Sequence, residues 1–192
     1  MDFFQGIDWG AYAAMRFQAN QMPGLASVLH ILHLIGLWGW IPLLALLALP
    51  WRHGGVVRQR AYIMFGVAAL ALLCLVAVRQ ASDRRRPPDA EILLGPQMGK
   101  SFPNIPAFAF PMAGIIAASA WSLAGGRKVA LAFLGVALAS CIFATAELFL
   151  GLAFVSDVIV GLVGGAGFGV LARALASRFA SASPTIAAAA LQ

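Results

Sequence analysis

Five apolar runs, at about residues 27–49, 57–78, 107–123, 129–149 and 154–175, follow one another with only polar breaks between them. Each holds roughly 17 to 23 residues, and at about 1.5 Å of rise per residue such a helix crosses a hydrocarbon core of about 30 Å with little to spare. The longest break, residues 79–106, carries Arg79, Asp83, Arg84, Arg85, Arg86, Asp89, Glu91 and Lys100. A segment this charged cannot lie in hydrocarbon, so it is a water-facing loop with its ends at a membrane surface.

Composition agrees with that reading. The chain of 192 residues is 61% hydrophobic and 10% charged, with a mean hydropathy of +0.88, values that belong to polytopic membrane proteins. The pattern predicts an all-α polytopic membrane helical bundle of five transmembrane helices in a single membrane domain over residues 1–180. A flexible small-residue tail is expected at 181–192. Before the first run, Phe4, Ile7, Ala11 and Met15 recur at helical spacing with Asp8 and Arg16 elsewhere on the turn. This predicts an N-terminal amphipathic interfacial helix, with Trp9 and Tyr12 suited to headgroup depth. An ordinary polar lead-in to the first span is the alternative. Residues 1–24 lack a basic start followed by an apolar core, so they do not read as a cleaved signal peptide.

The charge of +6, from 13 Lys and Arg against 7 Asp and Glu, points to loop orientation and anionic headgroups, and nucleic acid is not an expected partner. Arg52, His53, Arg58 and Arg60 form one acid-free break, Arg127 and Lys128 another, and Arg178 follows the last span. Strict alternation puts these on one face, which their unopposed charge makes cytoplasmic. Residues 79–106, the break near residues 147–157 and the N-terminal helix share the other face, periplasmic in a bacterial cytoplasmic membrane. Arg84 and Arg85 read as a solvated run touching headgroups or an acidic partner.

Inside the spans, Gly161, Gly165 and Gly169 fall at four-residue intervals on one helix face, where a neighbouring backbone can approach closely; intramolecular helix packing is the expectation and a dimer seam the alternative. His30 and His33 share a face of the first span. Haem between helices needs ligands from different helices, so interhelical hydrogen bonding is the better reading. Cys74 and Cys141 lie in apolar runs and behave as small hydrophobes, and neither a metal nor a cofactor is expected.

Three segments converge on the acid-bearing face: Arg79, six residues, then Arg86-Pro87; Ser101-Phe102-Pro103-Asn104-Ile105-Pro106-Ala107; and Ala146-Glu147, five residues, Ala153, three residues, Asp157. In order and spacing they resemble the motifs of the type 2 phosphatidic acid phosphatase and vanadium haloperoxidase superfamily. Those motifs read Lys, six residues, Arg-Pro; Pro-Ser-Gly-His; and Ser-Arg, five residues, His, three residues, Asp. The lead-in Met22-Pro23-Gly24-Leu25, the run Gly36-Leu37-Trp38-Gly39-Trp40 and the stretch from Val155 through Ser156 and Asp157 to Gly161 share the family's character.

The resemblance implies a helical lipid-phosphatase fold in which the third-motif His attacks phosphorus, the Asp orients it and the second-motif His protonates the leaving oxygen. Carried over, Arg79 stands at the Lys position, and Arg86, Pro87, Pro103 and Asp157 are kept. Asn104 replaces the Ser, Ile105 the Gly, Pro106 the acid His, Ala146 the Ser, Glu147 the Arg and Ala153 the nucleophile. Ala153 offers phosphorus no lone pair, Pro106 can donate no proton, and Glu147 repels a phosphate where the family's Arg would attract it.

The expected protein is therefore a catalytically inactive relative of the family. It would be an accessory subunit of a membrane complex or a lipid binder, with membrane lipids, anionic headgroups and protein partners as its contacts. Glu147 is expected to pair with Arg79, Arg86 or both and fill the old anion pocket from within, leaving Asp157 as a relic or a helix-start carboxylate. A lipid phosphatase, acting on phosphatidate or undecaprenyl pyrophosphate through a rearranged site, is the alternative. A small lipid or proton carrier built around Glu147 stands behind both.

Overall fold

A computed structural model describes residues 3–45, 55–82, 84, 87, 102–123 and 129–189. It is all-helical among the described residues: α1 (Phe3–Gln21), α2 (Pro23–Trp38), α3 (Trp40–Ala45), α4 (Val56–Ala81), α5 (Ile105–Leu123), α6 (Val129–Phe149) and α7 (Val155–Ala189). Four stretches are long and apolar enough to cross a membrane, Pro23–Ala45, Val56–Ala81, Val129–Phe149 and Val155–Phe179, and a shorter apolar helix covers Ile105–Ala120. The protein is thus a polytopic membrane bundle.

Local chemistry sets the helix ends. Pro23 opens α2, where its fixed φ suits a first turn and its missing N–H leaves nothing unpaired. The first span is interrupted at Gly39, whose N–H donates to the Ile35 carbonyl at 2.6 Å. Pro42 accounts for the break, because its ring crowds the carbonyl four residues back, at Trp38. At the other end of the chain α7 continues to Ala189, where a flexible tail from residue 181 is expected from sequence.

Packing is organised around α7, which lies against α4 and α5; α6 packs on α5 and α2, and α1 crosses the ends of α2, α6 and α7. Met64, Ala68, Ala71 and Leu75 of α4 meet Phe108, Met112, Ile116 and Ala120 of α5 and Ala172 and Ala176 of α7 in the main core. Much of that core is alanine, so the helices approach closely. The seam between α5 and α7 is closer still: a Cβ at Gly165 would sit 2.0 Å from the Phe108 carbonyl oxygen, and one at Gly161 2.9 Å from the Asn104 carbonyl oxygen. At Gly169 it would sit 2.9 Å from the Ile115 Cβ. These three glycines let α7 rest on the backbone of α5.

Burial is inverted relative to a water-soluble bundle. Leu73 and Val163 are 67% and 69% exposed, while Asp8, His33, Asn104, Glu147 and Asp157 are buried. Apolar side chains facing outward suit lipid, and polar groups withdrawn from lipid must find one another. They do so at one end of the bundle.

Candidate functional site

The connection from α6 to α7 places the third motif. Gly151 adopts φ +68°, a left-handed conformation that glycine takes without strain. Leu152 N–H donates to the Glu147 carbonyl at 2.9 Å and Gly151 N–H to the Leu148 carbonyl at 3.0 Å, the pair of bonds that caps a helix C-terminus. The chain reverses there, buries Leu152 and Ala153, and starts α7 with Asp157 in its first turn.

The second motif arrives at the start of α5. Asn104 Oδ1 accepts the N–H of Ala107 at 2.9 Å, an N-cap bond that satisfies one of the helix's free donors. Ile105 and Pro106 follow as its opening residues. Asn-Ile-Pro is therefore a competent helix start, with Pro106 where a missing N–H is harmless. The backbone N–H of Asn104 donates to the Asp157 carbonyl at 3.3 Å, tying the second motif to the third.

Two polar clusters meet across that bond. In the first, Glu147, only 1% exposed, has Oε1 hydrogen-bonded to His33 Nδ1 of α2 and Oε2 accepting from Asn104 Nδ2 at 3.1 Å. His33 is itself buried, and its Nε2 has no hydrogen-bond partner among the described residues. His30 lies beside it, ring centroids 6.1 Å apart.

In the second cluster, the Arg84 guanidinium reaches Asp157 Oδ1 at 3.2 Å, donates to Asp8 of α1 and lies 4.9 Å over the Phe154 ring. The other atoms of the Asp8 carboxylate's environment come from Ser156: its N–H donates at 3.0 Å and its hydroxyl at 2.7 Å. Burial pushes the Asp8 carboxyl up. The Ser156 backbone and side-chain bonds and the Arg84 bond and charge outweigh it and hold the group below the usual carboxylate range.

Together α1 and the α6–α7 turn close the space beside Ala153. It is lined by Asp8, Tyr12, Met15, Leu148 and Phe154 and has no room for a water molecule. Trp9 and Tyr12 pack on Phe154 at centroid distances of 5.3 and 6.4 Å, so α1 covers this end of the bundle through aromatic contact as well as charge.

Several sequence expectations change. Among the described residues, the Glu147 carboxylate oxygens meet His33 and Asn104, on α2 and at the start of α5; the expected pairing with Arg86 falls on a residue outside the described ones. Asp157 and Asp8 both take Arg84, which the sequence placed among solvated residues. Asp8, read as part of the polar side of an interfacial helix, points into the protein. An imidazole does stand near the acid-bearing face: His33, which the spacing of the motifs left out. Arg79 is in the last turn of α4, with one guanidinium nitrogen buried, and Pro87 is buried. Arg86, Arg85 and Ser101 lie outside the described residues. His33 had one available signal: titratable groups in two apolar spans, at positions 33 and 147, tend to pair.

No family model matches the chain, and no curated protein matches it. Among solved structures, it is similar to the crystal structure of a transmembrane PAP2-type phosphatidylglycerolphosphate phosphatase from Bacillus subtilis. The TM-score is 0.69 and the identity 19%, over 93% of this chain and 87% of that one. At that identity the likeness is one of architecture: this chain has the membrane fold of a PAP2-type lipid phosphatase.

Proposed function

We propose that the protein keeps the PAP2 fold as a membrane scaffold and does not carry out phosphoryl transfer by the family's route. It would serve as an accessory component of a membrane assembly or as a lipid-contacting protein, its acid-bearing face periplasmic and its acid-free loops cytoplasmic. The observation that carries this is the Asp8 carboxylate. It accepts from Arg84 and from the backbone and hydroxyl of Ser156, so an internal anion already occupies a guanidinium and two further donors beside the third motif. Glu147 sits at the family's arginine position, and Ala153, at the position of the family's nucleophile, adjoins a space too small for water. A phosphoryl group entering here would meet three buried carboxylates, Asp8, Glu147 and Asp157, and no nucleophile at Ala153.

The test is phosphate release from phosphatidylglycerolphosphate and from short-chain phosphatidate in detergent. No turnover above a protein-free blank is expected, and native extraction should bring a reproducible protein partner or bound lipid. Turnover that disappears in Arg86→Ala would overturn the proposal. Glu147→Arg, which restores the family's charge, should raise vanadate affinity; an unchanged affinity would count against a phosphate site vacated at this position.

His33 favours a second reading, a lipid phosphatase with a rearranged site. An imidazole whose Nδ1 is held by a carboxylate and whose Nε2 is unpartnered among the described residues has the orientation of an acid-base or nucleophilic histidine. If turnover is found, His33→Gln should abolish it while leaving thermal stability within a few degrees of wild type. Persistent turnover in that variant removes this reading.

A further inference from the structure

Among the described residues the acids are Asp8 of α1, Glu147 near the end of α6 and Asp157 in the first turn of α7, so the opposite end of the bundle holds none of them. That opposite end carries Arg58 and Arg60 near the start of α4, with Arg173 and Arg178 on α7. Between α5, α6 and α7 it also has a cavity of about 380 Å³, lined by Ile115, Phe133, Val170, Arg173, Ala174 and Ser177. We propose that this cavity binds one glycerophospholipid with a net negative headgroup, Arg173 taking the phosphate and the apolar wall taking the start of an acyl chain.

Its shape follows the membrane. Arg173 is 18 residues beyond the first residue of α7 at Val155, about 27 Å along the helix axis, which places it at the far boundary of a hydrocarbon core of about 30 Å. Phe133 is one turn into α6, at the same boundary. Ile115 and Val170 lie deeper, so the cavity is polar where headgroups are and apolar where chains are. Arg173 is exposed, and its guanidinium stands 5.1 Å over the Phe133 ring. That contact holds the cation at the cavity wall while leaving its N–H donors available.

Charge selects the occupant. No carboxylate among the described residues stands at this end to compete for Arg173, and the surrounding basic residues disfavour a cationic guest. Water alone would leave the apolar lining wet, and a zwitterionic lipid would offer Arg173 its phosphate but bring a cation of its own among the neighbouring basic residues. The proposal is independent of whether the opposite face has any catalytic activity.

Native mass spectrometry of the full chain in a non-ionic detergent tests it, with phosphatidylglycerol and phosphatidylcholine of the same chain length as probes. One bound phosphatidylglycerol is expected, preferred about five-fold, the scale of one interfacial cation. Arg173→Gln, a change at an exposed side chain, should abolish the preference, whereas Arg58→Gln, at the same end but outside the cavity, should keep it. Ala174→Leu, which narrows the cavity, should weaken both lipids. Equal binding of the two lipids by the wild type would overturn the proposal. So would an Arg58→Gln effect as large as that of Arg173→Gln, full affinity in Ala174→Leu, or displacement of the lipid by millimolar inorganic phosphate.

Discussion

Helix α7 is held in two unlike ways along its length. Over its middle, Gly161, Gly165 and Gly169 lay it directly on α5, and the contact is one of shape. At its first turn, Ser156 and Asp157 are held by Asp8, Arg84 and the Asn104 backbone, and the contact is one of charge and hydrogen bonds. The glycine seam has no titratable group and no polar side chain to satisfy. The polar end depends on each partner finding the next, because a single deletion leaves a buried donor or acceptor unmatched. Position is therefore set by the seam, and the state of the site by the end.

The largest effect should come from the seam. Gly165→Ala puts a methyl carbon 2.0 Å from the Phe108 carbonyl oxygen, and because the opposing atom is backbone, two helices must separate. A loss of about 3 kcal/mol or more is expected, read as a collapse of the thermal midpoint in detergent. A midpoint near wild type would mean that α5 and α7 do not meet there.

Breaking the polar end should cost somewhat less. Glu147→Leu leaves His33 and Asn104 buried without their acceptor, for about 2 to 3 kcal/mol. His33→Leu in the same protein should recover much of that loss, because two apolar side chains at a buried pair are often as stable as the pair. Absence of recovery would show that Asn104 or the α5 cap, and not the histidine, is what Glu147 supports.

The same contrast explains what could be read from the sequence. The spans, their order and the glycine face follow from residues a few positions apart, since hydropathy and four-residue spacing are local properties. The motif positions Asn104, Glu147, Ala153 and Asp157 were legible for a similar reason: each motif is short. The partners were not, because Glu147 meets His33 across 114 positions, Arg84 meets Asp8 across 76 and Ser156 meets Asp8 across 148. Arg84 stands beside Arg85 and Arg86 in the sequence, and spacing alone cannot say that Arg84 turns inward. Asp8 was harder still, because a single acid on an amphipathic helix has the same pattern whether that side faces water or a buried arginine.

A smaller effect belongs to Asp8. Its carboxyl titrates below its ordinary range in the folded protein. Its contribution to α1 docking is therefore complete above about pH 4, the unfolded value, and is lost as pH falls through the lower, folded value. Trp9, packed on Phe154, reports the docking. Its emission, isolated by comparison with Trp9→Phe, should shift on acidification in the wild type. In Asp8→Asn it should already be shifted at neutral pH, with a stability loss of about 1 to 2 kcal/mol, and should respond little to acid. An unchanged acid response in that variant would assign the docking to the aromatic contacts alone.

The smallest effect is the sharpest on the seam itself. Gly167 lies between Gly165 and Gly169 in sequence but on the other side of α7, exposed, with nothing within 4 Å of a Cβ built there. Gly167→Ala should therefore be neutral or stabilising by up to about 1 kcal/mol, the helix propensity of alanine over glycine. If it destabilises instead, the face carrying Gly167 is covered in the membrane, and a second copy of the chain would have to lie against it. Lipid exposure and a dimer seam thus predict opposite signs for one added methyl group. The pair Gly165→Ala and Gly167→Ala, measured in the same detergent, separates packing within the bundle from packing between bundles.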